Sequence, residues 1–147
     1  MERKDFIKAC GFACLGGSFA LSLLEGCVTA NHFGQTTLRD NELVVSKSEF
    51  LKSAQGEKKT YRKYIVLKNE KLDYPILLHR ISEDSYKALI MICTHKSCEL
   101  QLQGDFLICP CHGSEFDNMG VVQNPPAQDN LKMFTTKSDN ENIYIAI

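Results

Sequence analysis

After residue 41 the apolar positions of this chain gather in short runs, at 43–45, 61–67, 75–79, 88–92, 105–108, 121–122 and 143–147. The runs are rich in β-branched and aromatic residues, and clusters of Gly, Asn, Asp, Ser and Lys separate them, which is the pattern of strands and turns. No window of a dozen residues keeps a 3.6-residue period, although residues 48–54 offer one helical turn. The pattern predicts an all-β domain over 42–147, without internal repeats.

One stretch near the start stands apart. Residues 9–24 form an uncharged run of sixteen, interrupted by Gly11, Gly16 and Gly17 and preceded by Arg3, Lys4 and Lys8. A membrane-spanning helix needs about 20 apolar residues and the apolar part of an export signal about 7–15. The run therefore predicts an export signal or anchor over 1–26, with a polar tether over 27–41. Arg3, Lys4, Asp5, Phe6, Ile7 and Lys8 resemble a twin-arginine export signal, with Lys4 in the place of the second arginine. That pathway carries folded proteins. Leu24, Glu25, Gly26 and Cys27 resemble a bacterial lipoprotein cleavage box, which implies that Cys27 becomes a lipid-bearing N-terminus; Glu25 stands where a small residue is usual. The alternative is an uncleaved anchor followed by a free cysteine. Cys10 and Cys14 have no chemical task on either reading.

Composition narrows the function. The 147 residues suffice for one domain, and 17 basic against 18 acidic side chains give a net charge of −1, which points to no broad electrostatic footprint for nucleic acid or anionic lipid. The seven cysteines are unevenly placed: three lie before residue 28 and four, Cys93, Cys98, Cys109 and Cys111, fall within nineteen residues. Cys93, Thr94, His95, Lys96, Ser97 and Cys98 follow one apolar run, and Cys109, Pro110, Cys111, His112, Gly113 and Ser114 follow another. Each cluster offers a thiolate and an imidazole, Cys93 with His95 and Cys109 with His112. Cys98 and Cys111 are left over. A tetrahedral zinc site would use the first four donors but would not explain the leftover pair. Pairing all four cysteines in disulfides would leave the two histidines unexplained.

The two clusters, with the trailing Gly113 and Ser114, resemble the Rieske iron-sulfur family in its disulfide-containing branch, over residue 87 to the C-terminus. The resemblance implies one [2Fe-2S] cluster, with Cys93 and Cys109 on one iron and His95 and His112 on the other, and a Cys98–Cys111 disulfide tying the loops. Asn124, Pro125, Pro126 and Ala127 resemble the family's proline loop, which covers the cluster, and residues 131–147 its closing strands. Ser114 occupies the place of a serine that bonds a cluster sulfur. Phe116 stands where high-potential members carry a tyrosine, so a lower potential is expected, and Lys96 stands where quinol-oxidising members often have an apolar residue.

The fold so implied is an antiparallel β-sandwich with a cluster-binding subdomain inserted at about 88–134. The resemblance and the leader together imply one-electron transfer in an exported, membrane-associated oxidoreductase system on the periplasmic side, as a carrier or subunit rather than a complete enzyme. Candidate donors are a quinol or a molybdenum-type catalytic subunit, and candidate acceptors are c-type cytochromes. A catalytic oxygenase subunit would need a further mononuclear iron domain, for which only His32 and His79 remain. His32 reads as tether and His79 as a strand residue with a local hydrogen bond. A soluble ferredoxin serving an oxygenase and a zinc-binding structural module are the alternative functions.

Overall fold

The computed structural model describes residues 31–55 and 58–147. The leader and Cys10, Cys14 and Cys27 lie outside the described residues. Fifteen strands follow in chain order: β1 (Phe33–Gly34), β2 (Thr37–Arg39), β3 (Glu42–Ser46), β4 (Leu51–Gln55), β5 (Lys58–Tyr61), β6 (Tyr64–Leu67), β7 (Ile76–Arg80), β8 (Tyr86–Ile90), β9 (Gln101–Gln103), β10 (Phe106–Ile108), β11 (Glu115–Asp117), β12 (Val122–Asn124), β13 (Met133–Phe134), β14 (Thr136–Ser138) and β15 (Asn142–Ala146). Among the described residues the single helical turn is a 3-10 turn at Lys47–Phe50. The Ser46 hydroxyl caps it by accepting the Ser48 N–H, and the chain leaves it directly into β4.

The core explains why the strongest apolar runs were legible. The central sheet has the order β1-β6-β7-β8-β13 and is antiparallel except where β1 runs parallel to β6. Side chains alternate between its faces. Ile65, Leu67, Ile76, Leu78 and Ala88 join Leu43, Val45, Phe50, Ile143 and Ile145 in one buried cluster. The last four strand residues of that set come from β3 and β15 of a second sheet, β14-β15-β3-β2. Val66, Leu77 and Leu89 join Leu100, Leu102, Leu107, Phe116, Cys93 and Cys109 in the other cluster. The central sheet is thus covered on both faces. That is why β7 reads as an unbroken apolar run rather than an alternating one.

The second covering layer is the small sheet β12-β11-β10-β9, inserted between β8 and β13. Its three-residue strands bury little more than their central residues, Leu102, Leu107 and Phe116. The stretch 31–40, read as polar tether, supplies β1 and β2, which join the two larger sheets. Gly34 permits this, because a Cβ there would stand 2.8 Å from Ile65 Cδ1.

Candidate metal centre

The two Cys/His clusters become two loops with one backbone design. In the first, the Cys93 N–H donates to the Cys98 carbonyl at 2.8 Å and the Ser97 N–H to the Cys93 carbonyl at 2.9 Å. In the second, the Cys109 N–H donates to the Ser114 carbonyl at 2.8 Å and the Gly113 N–H to the Cys109 carbonyl at 2.9 Å. Each loop is closed between its first and sixth residues, and each fifth residue has a positive φ, 54° at Ser97 and 78° at Gly113. Glycine meets that requirement without strain, whereas serine holds it against a steric cost. The first loop lies between β8 and β9 and the second between β10 and β11, so pairing of β9 with β10 sets them side by side.

Cys93 and Cys109 turn inward and are each 1% exposed, and both are free thiols. Cys98 and Cys111 form a disulfide with a Cα–Cα distance of 6.5 Å, which ties the loops as the sequence resemblance implied. The Cys109 sulfur lies within 4.8 Å of both disulfide sulfurs. The His95 and His112 rings meet edge to face, with centroids 4.9 Å apart. His112 is exposed and His95 half-buried. The structure therefore sets Cys109 beside Cys93 and the Cys98–Cys111 disulfide, and His95 beside His112.

Electrostatics favour the thiolate of Cys93. Burial opposes ionisation of the Cys93 thiol. The backbone N–H of His95, the Cys109 thiol, the Ser114 hydroxyl and the backbone N–H of Lys96 outweigh it and hold the Cys93 pKa below the usual thiol value. His95 Nδ1 is buried with no hydrogen-bond partner. Such an orphan costs about 1–3 kcal/mol unless something coordinates it. Two buried thiols and an inward, partnerless imidazole nitrogen form a donor set of soft sulfur and borderline nitrogen suited to iron.

A third segment closes over the loops. Ser114 is fully buried, and its hydroxyl accepts the Ala127 N–H at 3.0 Å. The Thr94 hydroxyl donates to the Asp129 carbonyl at 2.7 Å. Each Cys/His loop thus contributes one hydroxyl that holds the Pro125–Pro126 segment. Pro125 is exposed, Pro126 half-buried and Ala127 buried. Phe116, fully buried, packs in the cluster that contains both free thiols. Thr94 was missed from sequence; its only signal was a hydroxyl between two donors, and its acceptor lies 35 residues away.

His79 does not belong to this site. It lies on β7 and is 9% exposed, with Nδ1 unpartnered. Burial lowers its pKa, and the backbone of Asn118 opposes this by hydrogen bonding. That partner is remote in sequence rather than local. His32 Nε2 stands 3.4 Å from Glu49 Oε2.

Comparison with known proteins places these features. The Rieske [2Fe-2S] domain model matches residues 28–135. The mitochondrial cytochrome b-c1 complex subunit Rieske of Aotus azarae is 35% identical over 71 residues, 46% of this chain and 26% of that protein. That of Gallus gallus is 32% identical over the same length. The chain spans about a quarter of the length of the curated relatives it matches. Among solved structures, the cyanobacterial plasma membrane Rieske protein of Synechocystis PCC 6803 aligns at 26% identity and a TM-score of 0.48, covering 56% of this chain and 85% of that one. With the family model spanning most of the chain and the donor set in place, this protein belongs to the Rieske [2Fe-2S] domain family, and its cofactor is one cluster of that type.

Proposed function

We propose that the protein is a one-electron carrier in an exported, membrane-associated oxidoreductase system. Cys93 and Cys109 hold one iron and His95 and His112 the other. The observation that carries the reading is the division of the four donors between two equivalent loops, thiols buried and imidazoles towards the surface. When bound, the cluster supplies a one-electron couple, which imidazole in place of thiolate sets at about −150 to +300 mV rather than about −400 mV.

The chain's own groups shape that couple. Ser114 supports the charge on the Cys93 sulfur, and the Pro125–Pro126 segment, pinned by Ser114 and Thr94, keeps water from it. His95 buries Nδ1 without a hydrogen-bond partner, which leaves that nitrogen available to iron. Phe116 offers no hydroxyl to a sulfur, which favours a potential below that of tyrosine-bearing relatives. The Cys98–Cys111 disulfide persists in oxidising compartments, in accord with export and with tethering through a lipid on Cys27. A quinol or a molybdenum-type subunit is the donor and a c-type cytochrome the acceptor.

Electron paramagnetic resonance of the dithionite-reduced protein, with metal analysis, tests the centre. A Rieske-type signal with two irons per chain is expected, and stoichiometric zinc without iron would overturn it. The intact mass of membrane-extracted protein tests the anchor: a diacylated N-terminus at Cys27 is expected, and a mass retaining residues 1–26 would refute it.

A further inference from the structure

Charge is spread unevenly over this nearly neutral chain. Residues 51–63 hold five basic side chains, Lys52, Lys58, Lys59, Arg62 and Lys63, and one acidic, Glu57. The segment therefore carries +4 and everything else sums to −5. β4 and β5 fold it into a two-stranded hairpin that pairs with neither larger sheet, and Lys52, Lys58 and Lys59 are exposed. Arg80 adds a cation, its guanidinium 4.5 Å from the centre of the Tyr61 ring, and Tyr61 is itself 44% exposed. A hollow of about 240 Å³ beside Tyr61 is lined by Lys47, Lys59, Arg80 and Glu83, and a second of about 290 Å³ by His32, Lys52, Arg62 and Lys63. Among the described residues, Lys63 is the only cation of the hairpin with an acidic partner, Asp105 at 3.3 Å.

The place of this surface matters as much as its charge. β9 and β10 run between the Cys/His loops and the turn at Gly104 and Asp105. The Lys63–Asp105 pair thus sets the hairpin at the end of the inserted subdomain opposite the histidine tip. His32, at the start of the described chain, lines the second hollow, so the polypeptide arriving from the leader enters beside the same cations.

We propose that the β4–β5 hairpin docks on an anionic phospholipid surface and holds the domain with His95 and His112 facing away from the bilayer. The proposal rests on the membrane association proposed above and adds an orientation to it. Charge complementarity selects the occupant: phospholipid phosphates oppose Lys52, Lys58, Lys59 and Arg80, and Tyr61 among them suits the headgroup boundary, where one end of a side chain is apolar and the other wet. Each Lys or Arg near such a surface multiplies binding about fivefold, an effect confined to roughly a Debye length. In this pose the histidine tip meets its partners in the aqueous phase, which selects the molybdenum-type subunit over a quinol from the two donors proposed above.

Lysine acylation footprinting of the full-length, cluster-loaded protein tests this on phosphatidylcholine vesicles with and without phosphatidylglycerol, with flotation read in parallel. Lys52, Lys58 and Lys59 should react at least about fivefold more slowly on phosphatidylglycerol than on phosphatidylcholine, and this should vanish at high salt. Lys96 at the tip should be unchanged. Protection of Lys96 instead of the hairpin would overturn the proposal. So would flotation on both vesicles without hairpin protection, which leaves the tether standing. Flotation and hairpin protection on phosphatidylglycerol alone supports the hairpin and refutes the tether, and flotation on neither refutes both. Protection in intact cells but not on phosphatidylglycerol would reassign the surface to an acidic protein. The K52E/K58E/K59E variant, with unchanged cluster absorbance, should lose the difference between vesicles.

Discussion

Replacing Ser114 by alanine separates two roles of one buried hydroxyl. The side chain is fully buried, accepts the Ala127 N–H at 3.0 Å and stands beside the Cys93 sulfur. Ser114→Ala leaves the Ala127 N–H without a partner inside the fold, at a cost of about 1–3 kcal/mol. It also removes a donor from the sulfur. A hydrogen bond to a charged acceptor is worth about 1.5–3 kcal/mol, and reduction adds one negative charge to a centre already sharing it with sulfur. If half of the bond's worth distinguishes the two redox states, the loss is about 1 kcal/mol. At 59 mV per tenfold for one electron, the midpoint potential should fall by roughly 40 mV.

Redox titration followed by electron paramagnetic resonance measures the shift, and urea unfolding measures the stability loss independently. A variant destabilised as expected but unshifted in potential would refute the sulfur contact while leaving the Ala127 contact intact. A raised potential would refute both the sign and the reasoning.

Three further outcomes are expected. Removing the disulfide as Cys98→Ala/Cys111→Ala should lower stability by about 3 kcal/mol, the chain-entropy value for a closed loop of about fourteen residues, read by urea denaturation. Phe116→Tyr should raise the midpoint potential by a few tens of mV, since one neutral hydrogen bond of about 1 kcal/mol to a sulfur favours the reduced state; no change in voltammetry would place the new hydroxyl away from the sulfurs. His79 has a folded pKa below its unfolded value of about 6.5 because burial disfavours its cation. The unfolded chain therefore binds the extra proton first, and stability should fall as pH drops through and below about 6.5. Urea midpoints across that range should lose this slope in His79→Gln, and an unchanged slope would show that Asp105, Lys63 and Lys87 around it do not leave it neutral.

The strands visible in the sequence are those with enough buried positions to make a run. β7 and β8 sit between two layers, so each carries three consecutive apolar residues, Ile76–Leu78 and Ala88–Ile90, and β3 and β15 alternate cleanly over five positions. β9 and β11 each bury one residue of three, too short for a period of two to register. β5 is exposed at all four positions, β2 reads as tether because Thr37 and Arg39 face water, and β1 because its two residues are too few to make a run. The Cys and His residues of the two loops stood out because metal chemistry restricts residue type more tightly than packing does. The Thr94 clamp and the lone basic hairpin were not, since each depends on what the fold sets beside it.

The loops also account for the unequal spacing of their donors. Both use the same closure, so positions sixteen apart correspond: Cys93 with Cys109, His95 with Cys111, Lys96 with His112, and Cys98 with Ser114. Equal spacing would put both histidines at third positions and leave the second loop without a cysteine facing the first. Moving the second histidine to the fourth position frees the third for Cys111. The first loop answers from its sixth position with Cys98, where the second loop keeps Ser114 for the Ala127 N–H and the Cys93 sulfur. One backbone frame thus carries two thiols, two imidazoles, a cross-link and a buried hydroxyl. Exchanging the sixth residues would cost both the disulfide and the sulfur contact, although neither loop would lose a donor to iron.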